Sequence, residues 1–374
     1  MSIETTVTRA WQRQAVWLWL LLPISWLYGL ITKIRRYAYK IGVLSSYRAP
    51  VPVMVIGNIS VGGSGKTPLI IALVNYLQDQ GIKVGVISRG YGGDTSQMPT
   101  LVSATSLPSV VGDEPCLIVN TTGVAMAVSP NRAQAITLLL EAYPDLQLII
   151  ADDGLQHYAL QRDIEWIVVD AARGFGNKQL LPTGFLREPI SRLEDASVIY
   201  HESVKTAWTQ NEKDSYQHQA NRLTMHLKAD DMQRLWQPTS FDNQRDGKLE
   251  KGSTVHAVSG IGYPQRFFDT LNVLGFDVIG HPYPDHYDFS LAELFQYSNH
   301  PIVVTTKDAV KIRALLVKHT AEQALTDDYE KLVNNLWVLP VTAVLSDGCY
   351  HYLQRQLNAL DINIKNKKIN KMSK

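Results

Sequence analysis

The chain has 374 residues, 45% of them hydrophobic and 19% charged, and a formal net charge of +1. That length allows two ordinary domains with real cores, and so even a charge balance leaves no footprint for nucleic acid, so no nucleic-acid partner is expected. The two cysteines, Cys116 and Cys349, are too few for a disulfide framework and lack metal-ligand spacing, so they read as buried free thiols in a reducing compartment.

Residues 15–32 read AVWLWLLLPISWLYGLIT, without a charged side chain. Trp11, Trp17, Trp19 and Trp26 cluster here; Arg9 and Arg13 precede the run, and Lys33, Arg35, Arg36 and Lys40 follow it. No small-residue cleavage site marks it as a secretory signal. It is barely long enough to cross a bilayer, and Pro23 interrupts it. Tryptophan and basic flanks favour the headgroup region, so a helix or helical hairpin lying in the membrane interface is expected. A true span and a core helix are the two alternatives. If it spans, the Lys/Arg excess after it puts the rest of the chain in the cytoplasm.

Val53–Ile56 is a short apolar, β-branched run and reads as a buried parallel strand. Ser60, Val61, Gly62, Gly63, Ser64 and Gly65 follow, then Lys66 and Thr67 at the start of a predicted helix over 69–80. This is the layout of a phosphate-binding loop. Glycines let backbone N–H groups converge on phosphate oxygens, and the helix N-terminus adds partial positive charge. Lys66 would reach the β- and γ-phosphates and the Thr67 hydroxyl would ligate Mg²⁺. The full pattern wants glycine where Ser60 stands.

A second strand is expected over 82–88, placing Arg89 at a strand's C-terminal end, where it is either a phosphate clamp or a solvated loop residue. Gly112-Asp113-Glu114-Pro115 sets two carboxylates before a helix, and on spacing alone Asp113 reads as an N-cap. A short strand over 125–128 leads into a helix expected to be capped by Ser129. The apolar strand 146–151 delivers Asp152 and Asp153 to a sheet edge, as phosphate-loop enzymes place a carboxylate near Mg²⁺. His157 reads as a structural residue. Further strands are expected over 165–170, 197–200 and 222–227, with polar irregular stretches at 205–219 and 237–252. The α/β pattern restarts at Thr254, without a second phosphate loop.

Taken together, these segments resemble the tetraacyldisaccharide 4'-kinase family. The resemblance rests on Arg48-Ala49-Pro50-Val51-Pro52-Val53, Gly57-Asn58, Val61 to Pro68, Ser88-Arg89-Gly90-Tyr91-Gly92, Gly112 to Pro115, Asp152-Asp153-Gly154-Leu155-Gln156-His157, Leu181-Pro182 with Leu186-Arg187-Glu188, Asp285-His286, and Lys307-Asp308-Ala309-Val310-Lys311. Ser60 fits, since the family carries Ser or Thr there. Thr306 stands where the family usually has Glu, and Phe185 where it usually has Pro.

The resemblance implies ATP-dependent phosphorylation of the 4'-hydroxyl of a tetraacylated glucosamine disaccharide 1-phosphate, with ATP and Mg²⁺. It implies two α/β/α domains, the first a phosphate-loop fold, joined by a two-stranded linker and preceded by a membrane-binding segment. The boundaries expected here are 1–48 for that segment, 49–200 for the phosphate-loop domain, 201–252 for the linker and 253–374 for the C-terminal domain. It further implies Asp113 as the base for the sugar hydroxyl with His286 as its partner, Lys66 and Arg89 on the phosphates, and Thr67, Glu114 and Asp152 on the metal side. The expected location is the cytoplasmic face of the bacterial inner membrane, as a peripheral or monotopic protein; no protein partner is expected. Two rival readings are a membrane-associated phosphate-loop ATPase or GTPase switch without a lipid acceptor, and a non-catalytic nucleotide-binding scaffold. The absence of an Asn-Lys-x-Asp motif speaks against GTP.

Overall fold

The structure, a computed structural model, describes residues 3–194, 196–202, 223–236, 249–322 and 326–363. Most of the two polar stretches at 205–219 and 237–252 lies outside the described residues.

The chain opens with helix α1 (Ile3–Gln12), a 3₁₀ turn over Val16–Leu21, and α2 (Leu22–Lys40). Pro23 sits in the first turn of α2, where its missing N–H costs nothing, so it starts the helix instead of kinking it. One side of this segment is fastened to residues 180–187. Trp11 Nε1 donates to Pro182 O at 2.9 Å, the Ser25 hydroxyl bonds Thr183 Oγ1 at 2.8 Å, and Tyr28 OH donates to Arg187 O at 3.0 Å. The other side is bare: Trp26 is 67% exposed, and Ile24, Leu27, Leu30, Ile31 and Ile34 are exposed too. Residues 16–40 form a stretch long and apolar enough to cross a membrane, with only 11% of its most apolar window buried. A core helix would be covered, so that alternative fails.

The strands and helices that follow are, in order, β1 (Val53–Gly57), α3 (Lys66–Asp79), β2 (Val84–Ser88), β3 (Thr100–Val102), α4 (Pro108–Val111), α5 (Asp113–Thr122), β4 (Ala125–Val128), α6 (Arg132–Ala142), β5 (Leu148–Asp152), β6 (Ile164–Asp170), β7 (Ser197–Glu202) and β8 (Leu223–Ala229). After β9 (Gln233–Arg234) come β10 (Thr254–Ser259), α7 (Pro264–Val273), β11 (Asp277–Pro282), α8 (Leu291–Phe295), β12 (Ile302–Thr305), α9 (Thr306–Glu322), α10 (Asp327–Asn335) and β13 (Leu336–Leu339). The described chain closes with β14 (Val341–Leu345) and α11 (Asp347–Asn358).

These strands form two sheets. The larger has nine strands in the order β14-β8-β7-β6-β1-β5-β2-β4-β3, and the smaller five in the order β11-β10-β12-β13-β9. Pairing is parallel except at edges: β3 on β4, β14 on β8 and β9 on β13 are antiparallel. Strand β1 is buried along its whole length because alternate residues feed different cores. Met54 and Ile56 join α3, α5 and α11 side chains on one face; Val53 and Val55 join Ile136 and Leu139 of α6 on the other. The small sheet is covered by α9 and α10 on one face and by Phe267, Phe268 and Leu271 of α7 on the other.

Two local expectations are corrected. Helix α6 is capped by Asn131, whose side chain accepts from Ala133 N, because the Ser129 hydroxyl is already used by Asn131 N. Residues 341–358 do not stay with the small sheet, as a unit running over 253–374 would require. Strand β14 pairs with β8, and Leu353 and Leu357 of α11 join the large sheet's core. The physical reason is the apolar spacing of α11, which fills the gap beside Trp166 and Leu345.

Candidate active site

Both sheets turn the C-terminal ends of their strands toward one cleft of about 2250 Å³. In parallel sheets that edge carries the ligand-binding loops. The loop after β1 runs Ser60 to Gly65, with Gly62 and Gly65 at φ of 95° and 93°, a conformation that only glycine adopts readily. It is braced from behind: Val61 N donates to Phe185 O at 2.8 Å and Arg187 N to Ile59 O at 2.7 Å. Lys66 begins α3 and its ammonium sits 3.2 Å from Asn58 Oδ1 and 3.3 Å from Asp153 Oδ1. Thr67 lines the same cleft, as do Val61, Gly62, Gly63 and Ser64. Arg89, after β2, is exposed on the cleft wall and makes no hydrogen bond or ion pair among the described residues.

Asp152 ends β5, Asp153 follows it, and the two differ sharply. Asp153, at a φ of 47°, is ion-paired to Lys66 and Arg187. Although burial opposes it, these cations hold its carboxyl well below the usual range. Asp152 is buried; one oxygen accepts from Ser88 Oγ at 3.1 Å and the other has no hydrogen-bond partner among the described residues. Burial, with the charges of Glu114 and Asp153, pushes its pKa up to about 7. An orphaned carboxylate oxygen beside a phosphate loop fits Mg²⁺, which takes one or two protein carboxylates and completes its shell with phosphate and water. No group of 3 or more His, Cys, Asp or Glu among the described residues forms an all-protein metal cage.

Asp113 is the first residue of α5, not its cap; Gly112 holds that position. Its carboxylate is buried and lies 3.0 Å from His286 Nδ1. His286 comes from the loop after β11, with its backbone at a φ of 60°. A non-glycine residue held there is strained, and such strain concentrates at functional sites. Lys307, in the first turn of α9 just after β12, donates to Glu114 at 2.9 Å and to Asp285 at 3.1 Å, and lies 3.2 Å from His286 Nε2. The network assigns the tautomer: Nε2 accepts from Lys307, so Nδ1 carries the proton and donates to Asp113. Burial would raise the Asp113 pKa, but the His286 hydrogen bond and the Lys307 and Lys311 charges outweigh it and hold it below its ordinary value. The site therefore joins an ionised, oriented carboxylate to a phosphate loop.

The sequence model of the tetraacyldisaccharide-1-P 4'-kinase family matches residues 17–358. A tetraacyldisaccharide 4'-kinase of Psychrobacter cryohalolentis is 72% identical, over 98% of this chain and 100% of its own length. One from Actinobacillus pleuropneumoniae is 43% identical over 90% of this chain and 94% of its own. The chain belongs to the tetraacyldisaccharide 4'-kinase family. It is a kinase by that membership. Among solved structures, LpxK from Aquifex aeolicus in complex with ATP aligns with a TM-score of 0.64 at 26% identity, covering 92% of this chain and 99% of that one.

Within this kinase Lys66, Thr67, Asp152, His286, Arg89 and Glu114, which the sequence singled out, line one cleft, and Asp113 joins them from behind its wall through its bond to His286. Glu114 is held by Lys307 in this state. Sequence reasoning gave no role to Asn58, Arg187, Asp285 or Lys307, although each lies in a quoted motif. For Asn58, Asp285 and Lys307 the signal is position, since each closely follows the C-terminal end of a strand; Arg187 lies far from any strand end and reaches the loop through Asp153.

Proposed function

We propose that the chain transfers the γ-phosphoryl group of ATP to the 4'-hydroxyl of tetraacyldisaccharide 1-phosphate, giving the 1,4'-bisphosphate lipid A precursor. The observation that carries this reading is the Asp113–His286 pair, made between the large and small sheets beside the phosphate loop. Phosphoryl transfer needs positioning and charge neutralisation more than covalent help from the protein. Ser60 to Gly65 would cradle the phosphates with backbone N–H groups, and Lys66 and Arg89 would neutralise the transferring group. Thr67 and Asp152 would hold Mg²⁺, with Glu114 the further oxygen on that side; the ion, when bound, neutralises charge on the phosphates. Asp113 would accept the proton of the 4'-hydroxyl. His286 aims it, and Lys307 keeps it ionised until substrate arrives.

The two sheets would be the two α/β/α domains of the expected layout, and β8 and β14, which pair with each other beside β7 in the large sheet, would be the two-stranded linker. Closure of the small sheet over the phosphate loop would exclude water and limit wasteful hydrolysis. The bare face of α2 would lie in the bilayer at the cytoplasmic face of the inner membrane, because an acceptor with four acyl chains does not leave it. The test is transfer of labelled γ-phosphate from ATP to defined tetraacyldisaccharide 1-phosphate in mixed micelles. Hydrolysis without labelled lipid would sink the kinase reading.

A further inference from the structure

Arg266 lies in the first turns of α7, outside every motif that carries the family resemblance. It reaches across to the large sheet. Nη2 bonds Asp170 Oδ2 at 2.5 Å, at the end of β6, and Nη1 lies 3.1 Å from His201 Nδ1, near the end of β7. Asp170 and His201 are both buried, so this ion pair is shielded from solvent on the large-sheet side.

Each of these partners leads to a carbonyl of the phosphate loop. Asp170 Oδ1 accepts from Ala172 N at 3.1 Å and Arg173 N at 3.3 Å, which fixes the turn from which Arg173 donates to Val61 O. His201 Nδ1 lies 3.0 Å from Ser64 O. The segment leading into α7 is pressed on the same loop: a Cβ at Gly262 would come within 2.9 Å of Gly63 N.

His201 Nδ1 cannot serve both neighbours at once. With a proton it donates to Ser64 O and has nothing to offer Arg266; with a lone pair it accepts from Arg266 and leaves Ser64 O unpaired. Burial and the Arg266 charge push the His201 pKa down to about 4, so the imidazole is neutral at physiological pH and must choose one tautomer. A turn of the Ser64 carbonyl away from His201 frees Nδ1 for Arg266. The fastening of α7 and the shape of the phosphate loop are thus two sides of one equilibrium.

We propose that Arg266 is a positioning residue for the nucleotide: it clamps α7 and the Ile261–Gly262 turn over the phosphate loop and, through Asp170 and His201, sets the direction of the Val61 and Ser64 carbonyls. Nucleotide that reorganises the Ser64 peptide tightens the clamp, and the clamp in turn favours the nucleotide-binding loop, because coupling between two equilibria is reciprocal. This rests on the kinase reading of the site.

The test uses the full chain and ATP. Titration calorimetry gives ATP affinity, and steady-state transfer gives KM for ATP and for the lipid acceptor separately. Arg266→Met is expected to weaken ATP binding about tenfold, within the usual range for coupled sites, with acceptor KM unchanged. Arg266→Lys, which keeps the charge opposite Asp170 but not the second arm of the fork, is expected to recover part of the loss. Asp170→Asn should match Arg266→Met, and the double variant should be no weaker than either single one; should Arg266→Met not fold, Asp170→Asn carries the test. Unchanged ATP affinity in these variants, or equal losses toward ATP and acceptor, would overturn the clamp. A wild-type chain that bound no ATP would instead remove the kinase reading beneath it.

Discussion

Asp113 and Asp152 are two buried carboxylates built in opposite ways: Asp152 lines the cleft, and Asp113 lies behind its wall, bonded to His286, which lines it. Asp113 is fully partnered from the facing sheet by His286, Lys307 and Lys311, and its pKa lies below the ordinary value. Asp152 has an oxygen with no partner and a pKa pushed up to about 7. The protein has completed the surroundings of the first and left those of the second open. In the proposed roles Asp113 is the base, which must be aimed and charged before substrate arrives. Asp152, proposed for Mg²⁺, would gain its countercharge only with the metal nucleotide.

That contrast can be broken by substitution. Lys66→Ala removes the ammonium at the start of α3 and is expected to lower turnover by about 10²-fold or more. Single-turnover rates would check it, and near-normal turnover in the folded variant would take the loop out of the mechanism. Asp152→Asn should cost a similar factor in rate while raising stability without nucleotide, because it removes a carboxylate whose charge burial disfavours. Thermal melts with and without Mg²⁺ and ATP would show it: the wild type gains from the ligands, and the variant gains much less.

The pH dependence should also split. A raised folded-state pKa means the native state holds its proton more tightly than the unfolded one, so stability falls as pH rises. For Asp152 that window runs from its ordinary 3.8 to about 7. Asp113 has the reverse sign: its contribution is present above the ordinary carboxylate value and is lost as pH falls through its lowered one. Melts of Asp152→Asn and Asp113→Asn against wild type from pH 4 to 7.5 separate them. The Asp152→Asn advantage should grow across that range, whereas the Asp113→Asn difference should stay flat.

A smaller effect concerns α2. Trp26 and Leu30 face solvent, and each side chain buried in lipid is worth about 1.5–3 kcal/mol. Trp26→Ser with Leu30→Ser should weaken vesicle co-sedimentation and leave ATP affinity unchanged. Equal sedimentation would remove the docking role from this face.

Much of the large sheet was readable because parallel strands buried on both faces leave unbroken apolar runs, as in 53–56 and 146–151. Strand β13 was missed because Leu336–Leu339 follows α10 without a break that marks a strand. The return of β14 and α11 to the large sheet was not readable either, since apolar spacing shows that a face is buried but not against which sheet. At the site, Lys66 and Asp152 carry local signals, a loop and a strand end. The partnership of Asp113 with His286 spans 173 residues, and no local pattern encodes it; only family resemblance pointed there. Arg266 has neither signal and emerges from the contact between the sheets alone.

The central claim is that Asp113 and His286 act as one catalytic unit assembled between the two sheets. The most direct measurement is a double-variant cycle in the rate of γ-phosphate transfer to tetraacyldisaccharide 1-phosphate, using Asp113→Ala, His286→Ala and both together. Residues that act as a unit lose activity non-additively, so all three variants should retain similar residual rates. A double variant whose loss equals the product of the two single losses would contradict the pairing.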